Sequence, residues 1–392
     1  MEPKGTLKAG KGRLHWMWIL LALSICLLLP ALALSETAIA DFTKMIEANP
    51  NDAGAYRDRG RAYYNEGNYV EAIADFTKAI QLDQDSAPAY YNRGLAYYDA
   101  DQNDEAIADF TKAIELNPDY ELLYNQRGRA YYARGNYDEA IADYTKAIQL
   151  DQDFASAHFN RGLVYNSDDQ YDEALADFTR AIELAPADVF YVNIRGNVYN
   201  ALKKYDEAIA DYTKAIALNP DYAPAYYNRG LSYYDKGNYD EAIANYTKAI
   251  ALNPDYLVAY NQRGRAHYDG GNYDEAIADY TKVIALNQSY DAAYYNRGLA
   301  YYDRRQYDEA VADFTKVLEL TPANVSCMNM RGVAYYFQQK YDEALADFTK
   351  AIQLSPDTAL YYENRAGTYE TMENHDAAAA DLEKAQELRG NQ

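Results

Sequence analysis

The sequence is short of the residues that chemistry usually needs. It holds only two cysteines and four histidines in 392 residues. Two cysteines exclude a disulfide framework. Cys26 lies in an apolar run near the N-terminus, which leaves Cys327 as the only other thiol. His15 precedes that run, and His158, His267 and His375 each take a position held by tyrosine in related segments, so they read as core substitutions rather than ligands. No Ser-His-Asp arrangement, H-E-x-x-H, glycine-rich phosphate loop or Cys/His cluster occurs, so neither enzyme activity nor a cofactor nor a metal is expected. The run from Asp99 to Asn103 starts like a calcium loop. It fails because Asp104 stands where the sharp-turn glycine belongs and Phe110 where the bidentate glutamate belongs. Basic residues are also scarce, 37 against 60 acidic ones, for a net charge of −23 that argues against nucleic acid. What is plentiful is tyrosine, with 44 copies.

Residues 1–34 form a separate segment. Lys4, Lys8, Lys11 and Arg13 precede a stretch from Leu14 to Ser35 without formal charge. As a signal peptide, its apolar part ends at Pro30 and Ala31-Leu32-Ala33 supplies a cleavage pattern. As a retained anchor, the uncharged stretch is long enough to span a bilayer. Either reading sends the remainder out of the cytoplasm, to a periplasmic, extracellular or membrane-anchored position.

The remainder is one unit repeated. Arg-Gly recurs every 34 residues from Arg59-Gly60 to Arg331-Gly332, and Arg365-Ala366 completes the series. A half unit (35–52) precedes ten units: 53–86, 87–120, 121–154, 155–188, 189–222, 223–256, 257–290, 291–324, 325–358 and 359–392. In 223–256, Tyr226, Gly230 and Tyr233 form one helical stripe, and Ala242, Tyr246 and Ala249 form a second. Gly237-Asn238 suits a left-handed cap between two helices, and Pro254 stops the second. Helices this short bury no face alone, so neighbouring units must stack.

This pattern resembles the tetratricopeptide repeat family. Unit 87–120 carries its Gly94, Tyr97, Ala106, Phe110 and Pro118, with Tyr90 in the tryptophan slot. The resemblance implies an all-α, right-handed superhelical α-solenoid of helix-turn-helix units. First helices would line a concave groove and second helices would form the back. Arginine replaces the family's leucine in every unit, with Asp75, Asp109, Asp143, Asp177, Asp211, Asn245, Asp279, Asp313, Asp347 or Asp381 sixteen residues later. Two readings compete: a ladder of Arg–Asp bonds across each hairpin, or arginines that snorkel to solvent over packed stems. The last unit is degenerate, and its polar final helix suits a cap.

Groove positions follow from the stripe around each glycine. Aromatic–aliphatic sets (Tyr91/Asn92/Leu95, Phe159/Asn160/Leu163, Tyr227/Asn228/Leu231, Tyr295/Asn296/Leu299) alternate with amide-bearing ones (Asn125/Gln126/Arg129, Asn193/Ile194/Asn197, Asn261/Gln262/Arg265, Asn329/Met330/Val333). Tyr64, Tyr98, Tyr132, Tyr234, Tyr268, Tyr302 and Tyr336 extend the same face. Units 87–222 also resemble units 223–358 pairwise, as an internal duplication of four would leave them. Tyrosine and asparagine offer large amphipathic contact area together with hydrogen bonding. The expected function is a non-catalytic scaffold that binds an extended peptide or helix of a protein partner. Self-assembly into a homo-oligomer and glycan binding are the alternatives. The family's two-carboxylate clamp is not expected, because no groove position holds lysine.

Overall fold

The computed structural model describes residues 37–390, and every regular element among them is an α-helix. The expected leader (1–34) lies outside the described residues. After α1 (37–48) come ten helical hairpins. They are α2 (Ala53–Asn65) with α3 (Tyr69–Leu82), α4 (Ala87–Asp99) with α5 (Asn103–Leu116), α6 (Glu121–Ala133) with α7 (Tyr137–Leu150), and α8 (Ala155–Ser167) with α9 (Tyr171–Leu184). Then follow α10 (Val189–Ala201) with α11 (Tyr205–Leu218), α12 (Ala223–Asp235) with α13 (Tyr239–Leu252), and α14 (Leu257–Asp269) with α15 (Tyr273–Leu286). The last three are α16 (Asp291–Asp303) with α17 (Tyr307–Leu320), α18 (Val325–Phe337) with α19 (Tyr341–Leu354), and α20 (Ala359–Thr371) with α21 (His375–Gly390). The described residues divide into two compact units, one ending at Pro186 and the other beginning at Ala187. Each is an α-solenoid of stacked hairpins.

Local sequence explains the helix ends. Asp52, Asp188 and Asn324 cap first helices by accepting backbone N–H bonds, as with Ala55 N at 3.0 Å from Asp52. Second helices carry acid in the first turn, such as Asp240 and Glu241, where the helix dipole favours it. Between the two helices the chain passes through one left-handed residue. It is Gly237 at φ 79° in α12–α13, and Gly67, Gly135 and Gly271 take the equivalent place. The Asn238 N–H then bonds back to the Tyr233 carbonyl at 2.9 Å, closing the cap expected there.

The core is a thin seam repeated in each hairpin. A Cβ on Gly128 would lie 2.8 Å from the Tyr144 ring, and one on Gly94 2.7 Å from the Phe110 ring. The glycine lets the first helix sit directly on an aromatic side chain of the second. Alanines fill the remainder: Ala242 and Ala249 are fully buried on either side of buried Tyr246. First helices also touch the first helix of the next hairpin, as α4 touches α6 and α12 touches α14. Successive first helices therefore make one continuous face in each unit.

Candidate functional site

The repeated arginine forms the ladder; it does not snorkel. Arg127 Nε and Nη2 donate to the two carboxylate oxygens of Asp143 at 2.8 and 2.7 Å, and the two side chains are only 18% and 8% exposed. The same two-bond pairing joins Arg59 to Asp75, Arg93 to Asp109 and Arg161 to Asp177 in the first unit. In the second it joins Arg195 to Asp211, Arg263 to Asp279, Arg297 to Asp313, Arg331 to Asp347 and Arg365 to Asp381. Asn245 breaks the series. It accepts a bond from Arg229 Nε at 2.8 Å and donates its amide to the Glu241 carbonyl instead.

The sequence also carries a third partner that the pairwise reading missed. The remaining guanidinium nitrogen, Nη1, donates to a threonine on the preceding second helix: Arg93 to Thr77, Arg127 to Thr111, Arg263 to Thr247, at 2.9–3.0 Å. Two tyrosine rings flank several of the guanidiniums, as Tyr124 and Tyr131 do for Arg127 at 5.9 Å. Within each unit these arginines thus fasten their own hairpin to the one before it. Thr43 on α1 serves Arg59 in the same way, so the half unit completes the first clamp. The signal was visible as a threonine sixteen residues before every one of these arginines.

With the arginines committed inside, the first-helix face has fewer free groups than expected. Asn125, Asn261 and Phe159 are buried, at 4%, 9% and 5% exposure, and this corrects their assignment as surface contacts. The cause is the close approach of neighbouring first helices. Asn160 donates to Asn125 Oδ1 at 2.9 Å, whereas Phe159 is buried within its own hairpin, on Phe178 of α9 at 5.4 Å between centroids. Asn228 is likewise engaged, with Asn193 and Asn197 at 3.2 and 3.0 Å. Asn261 Oδ1 is enclosed without a partner. Asn92, Leu95, Leu231, Asn296 and Leu299 stay half-buried on the face.

The aromatic positions are half-buried, with one side of the ring in the core. Tyr91 lies on Phe110, Tyr227 on Tyr246 and Tyr295 on Phe314, with centroids 5.8–6.2 Å apart. Burial raises all three phenols above their ordinary value, so they act as neutral hydrogen-bonding groups. The outer tyrosines bridge neighbouring first helices. Tyr132 bonds Ser167 at 2.8 Å, while Tyr234 donates to Asp269 and Tyr268 to Asp303. Burial first, and that carboxylate second, push Tyr234 up to about 12. Arg129 lies 4.7 Å over the Tyr98 ring, and Arg265 lies 5.1 Å over Tyr234 and donates to its hydroxyl at 3.2 Å.

Three recesses open along this face. One of about 360 Å³ in the first unit gathers Arg61, Pro88, Tyr91, Asn92, Tyr120 and Leu123. The second unit has one of about 190 Å³ around Arg265, Tyr268, Asn296 and Leu299, and one of about 270 Å³ around Tyr336, Phe337 and Glu363. No group of three or more metal-ligating side chains occurs among the described residues.

Sequence models described as tetratricopeptide repeat match residues 87–120, 155–188, 223–256 and 325–358, then 261–325, 42–74, 110–142 and 359–392. One described as TPR repeat matches 60–101, 128–169 and 196–237. The chain belongs to the tetratricopeptide repeat family. Such repeat proteins are in general non-catalytic interaction scaffolds, and the family supports that role for this chain. Among solved structures, it is similar to a tetratricopeptide repeat protein from Parabacteroides merdae, with 21% identity over 64% of this chain and 98% of that one and a TM-score of 0.48. MamA from Desulfovibrio magneticus is 23% identical over 43% of this chain and 96% of its own, at a TM-score of 0.42. YrrB, described as a TPR protein with an unusual peptide-binding site, is 26% identical over 56% and 95%, at 0.34. No curated protein matches the sequence.

Proposed function

We propose that this repeat protein is a non-catalytic scaffold whose first-helix face holds an extended segment or helix of a partner protein, outside the cytoplasm. The observation that carries the reading is the recess around Tyr91. Its walls are the aromatic and aliphatic surfaces of Tyr91, Tyr120, Pro88 and Leu123, and the polar groups of Arg61 and Asn92 converge on it. Apolar walls with a few convergent polar groups suit a peptide side chain together with its neighbouring backbone. Aromatic and amide-bearing sets alternate along the face, so a bound segment meets similar chemistry at every second hairpin. The export reading rests on the cationic start of the chain and the uncharged stretch after it.

Affinity capture with the full chain, compared with a Tyr91→Ala, Tyr227→Ala, Tyr295→Ala variant of verified helicity, tests the face. The variant should lose the captured partners, and equal recovery from both proteins would refute it. Protease accessibility in spheroplasts tests the location, since a chain protected until the cytoplasmic membrane is lysed is not outside the cytoplasm.

A further inference from the structure

Three departures from the repeat converge on one recess in the second unit. The residue five after the repeat glycine is Asn, Asp, Ala, Ser or Thr in nine hairpins, and Phe337 in the remaining one. The residue three before it is Arg, Tyr, Asn or Phe in the others, and Glu363 in the last hairpin. The residue one after it is Arg, Leu, Asn or Val elsewhere, and Gly367 here. Phe337, Glu363 and Gly367 together line the recess of about 270 Å³ between α18 and α20.

Each change has a physical effect at that place. Elsewhere in this unit an outer tyrosine donates to the carboxylate of the next first helix, as Tyr234 does to Asp269 and Tyr268 to Asp303. At the next step the acceptor is missing, and Tyr302 instead meets the Phe337 ring edge-on at 5.9 Å and 63°. Phe337 lies flat on Tyr307 at 5.2 Å and 12°, with Tyr336 perpendicular to it at 5.5 Å and 84°. Even so packed, Phe337 stays 49% exposed. Gly367 leaves open the space that a side chain fills in the other hairpins: a Cβ built there meets nothing within 4 Å. Glu363 brings an acid to the rim, and its two oxygens already hold one guanidinium, that of Arg389, at 2.6 and 2.7 Å. Arg389 is 64% exposed, so that ion pair is open to exchange with solvent and with competing cations.

We infer that this recess takes a lysine or arginine side chain of the bound partner segment. The aliphatic stem enters over Gly367, and the cation lies against the faces of Tyr336 and Phe337 and on the Glu363 carboxylate, where it replaces Arg389. Aromatic faces and a carboxylate at one rim attract a cation and offer little to an anion. The net charge of −23 draws basic segments toward the molecule. The inference deepens the scaffold reading and rests on it.

The test is selection from a displayed library of random twelve-residue peptides on the full chain, followed by titration of the enriched peptides. The expected result is enrichment of peptides with a Lys or Arg whose change to Gln weakens binding about tenfold. E363Q and Phe337→Ser should each weaken those peptides by a similar factor. Gly367→Leu, which restores the side chain of several other hairpins, should abolish binding while leaving the thermal unfolding temperature unchanged or higher. Enriched peptides that are indifferent to E363Q, Phe337→Ser and Gly367→Leu would overturn this inference and leave the scaffold reading standing. If no peptide is enriched, both fall. Phe337-dependent binding of neutral oligosaccharides on a glycan array, with no basic peptide enriched, would also overturn it.

Discussion

Removing one carboxylate from the arginine ladder tests the physical account of the stack most directly. In Asp143→Ala the Arg127 guanidinium loses two short bonds while remaining only 18% exposed. Breaking one partner out of a buried ion pair costs about 3–5 kcal/mol, because the other charge stays desolvated. Here the stranded cation keeps Thr111 at 3.0 Å and two tyrosine faces at 5.9 Å. Those contacts each return about 0.5–1 kcal/mol. The net loss should be about 1.5–2 kcal/mol. Arg127→Met with Asp143→Leu removes both charges together and should cost less than the single change, since no group is left unpaired. Equilibrium urea unfolding followed by circular dichroism measures the total, and amide hydrogen exchange reports whether the loss centres on α6 and α7. A cost below about 0.5 kcal/mol for Asp143→Ala would refute the ladder as a stabilising element. So would a double change costing as much as the two single changes added together.

Other outcomes follow from the same geometry. Asn245→Asp gives Arg229 its second carboxylate bond at the loss of the Glu241 carbonyl contact. It should stabilise by about 1 kcal/mol in the same urea assay. Gly128→Ala places a methyl group 2.8 Å from the Tyr144 ring and should cost about 1–3 kcal/mol. Gly367→Ala meets nothing within 4 Å and should gain about 0.5–1 kcal/mol, so the two changes move the urea midpoint in opposite directions. Burial raises the phenols of Tyr144, Tyr212, Tyr246 and Tyr280 above the unfolded value of 10. The stability tied to them is therefore fully present below pH 10 and is lost as pH rises above it. Each phenol kept neutral in the fold costs about 1.4 kcal/mol at pH 11. Absorbance at the phenolate band should show these four ionising only as helicity is lost, and ionisation of all tyrosines before any loss would contradict their burial.

Most of the architecture was legible in the sequence, because each hairpin is built from contacts within a 34-residue window. The glycine–aromatic seam, the Gly237 cap and the arginine with its aspartate sixteen residues on all lie inside one unit. The face was less legible, because its groups are decided between units. Thr111 belongs to the hairpin before Arg127, so a pairwise reading within one unit did not reach it. Asn125 was placed on the surface by helical phase alone, whereas the neighbouring first helix brings Asn160 over it and buries it.

By itself, then, the sequence determined the repeat length, the helix pairs and the polarity of the molecule, which depend on local periodicity and on charge. Only the tertiary structure decided which asparagines and tyrosines remain available to a partner. It also showed that Phe337, Glu363 and Gly367, 26 to 30 residues apart in the case of the first, meet at one recess. Side-chain exposure in a stack depends on how closely neighbouring helices approach, and no single unit encodes that distance.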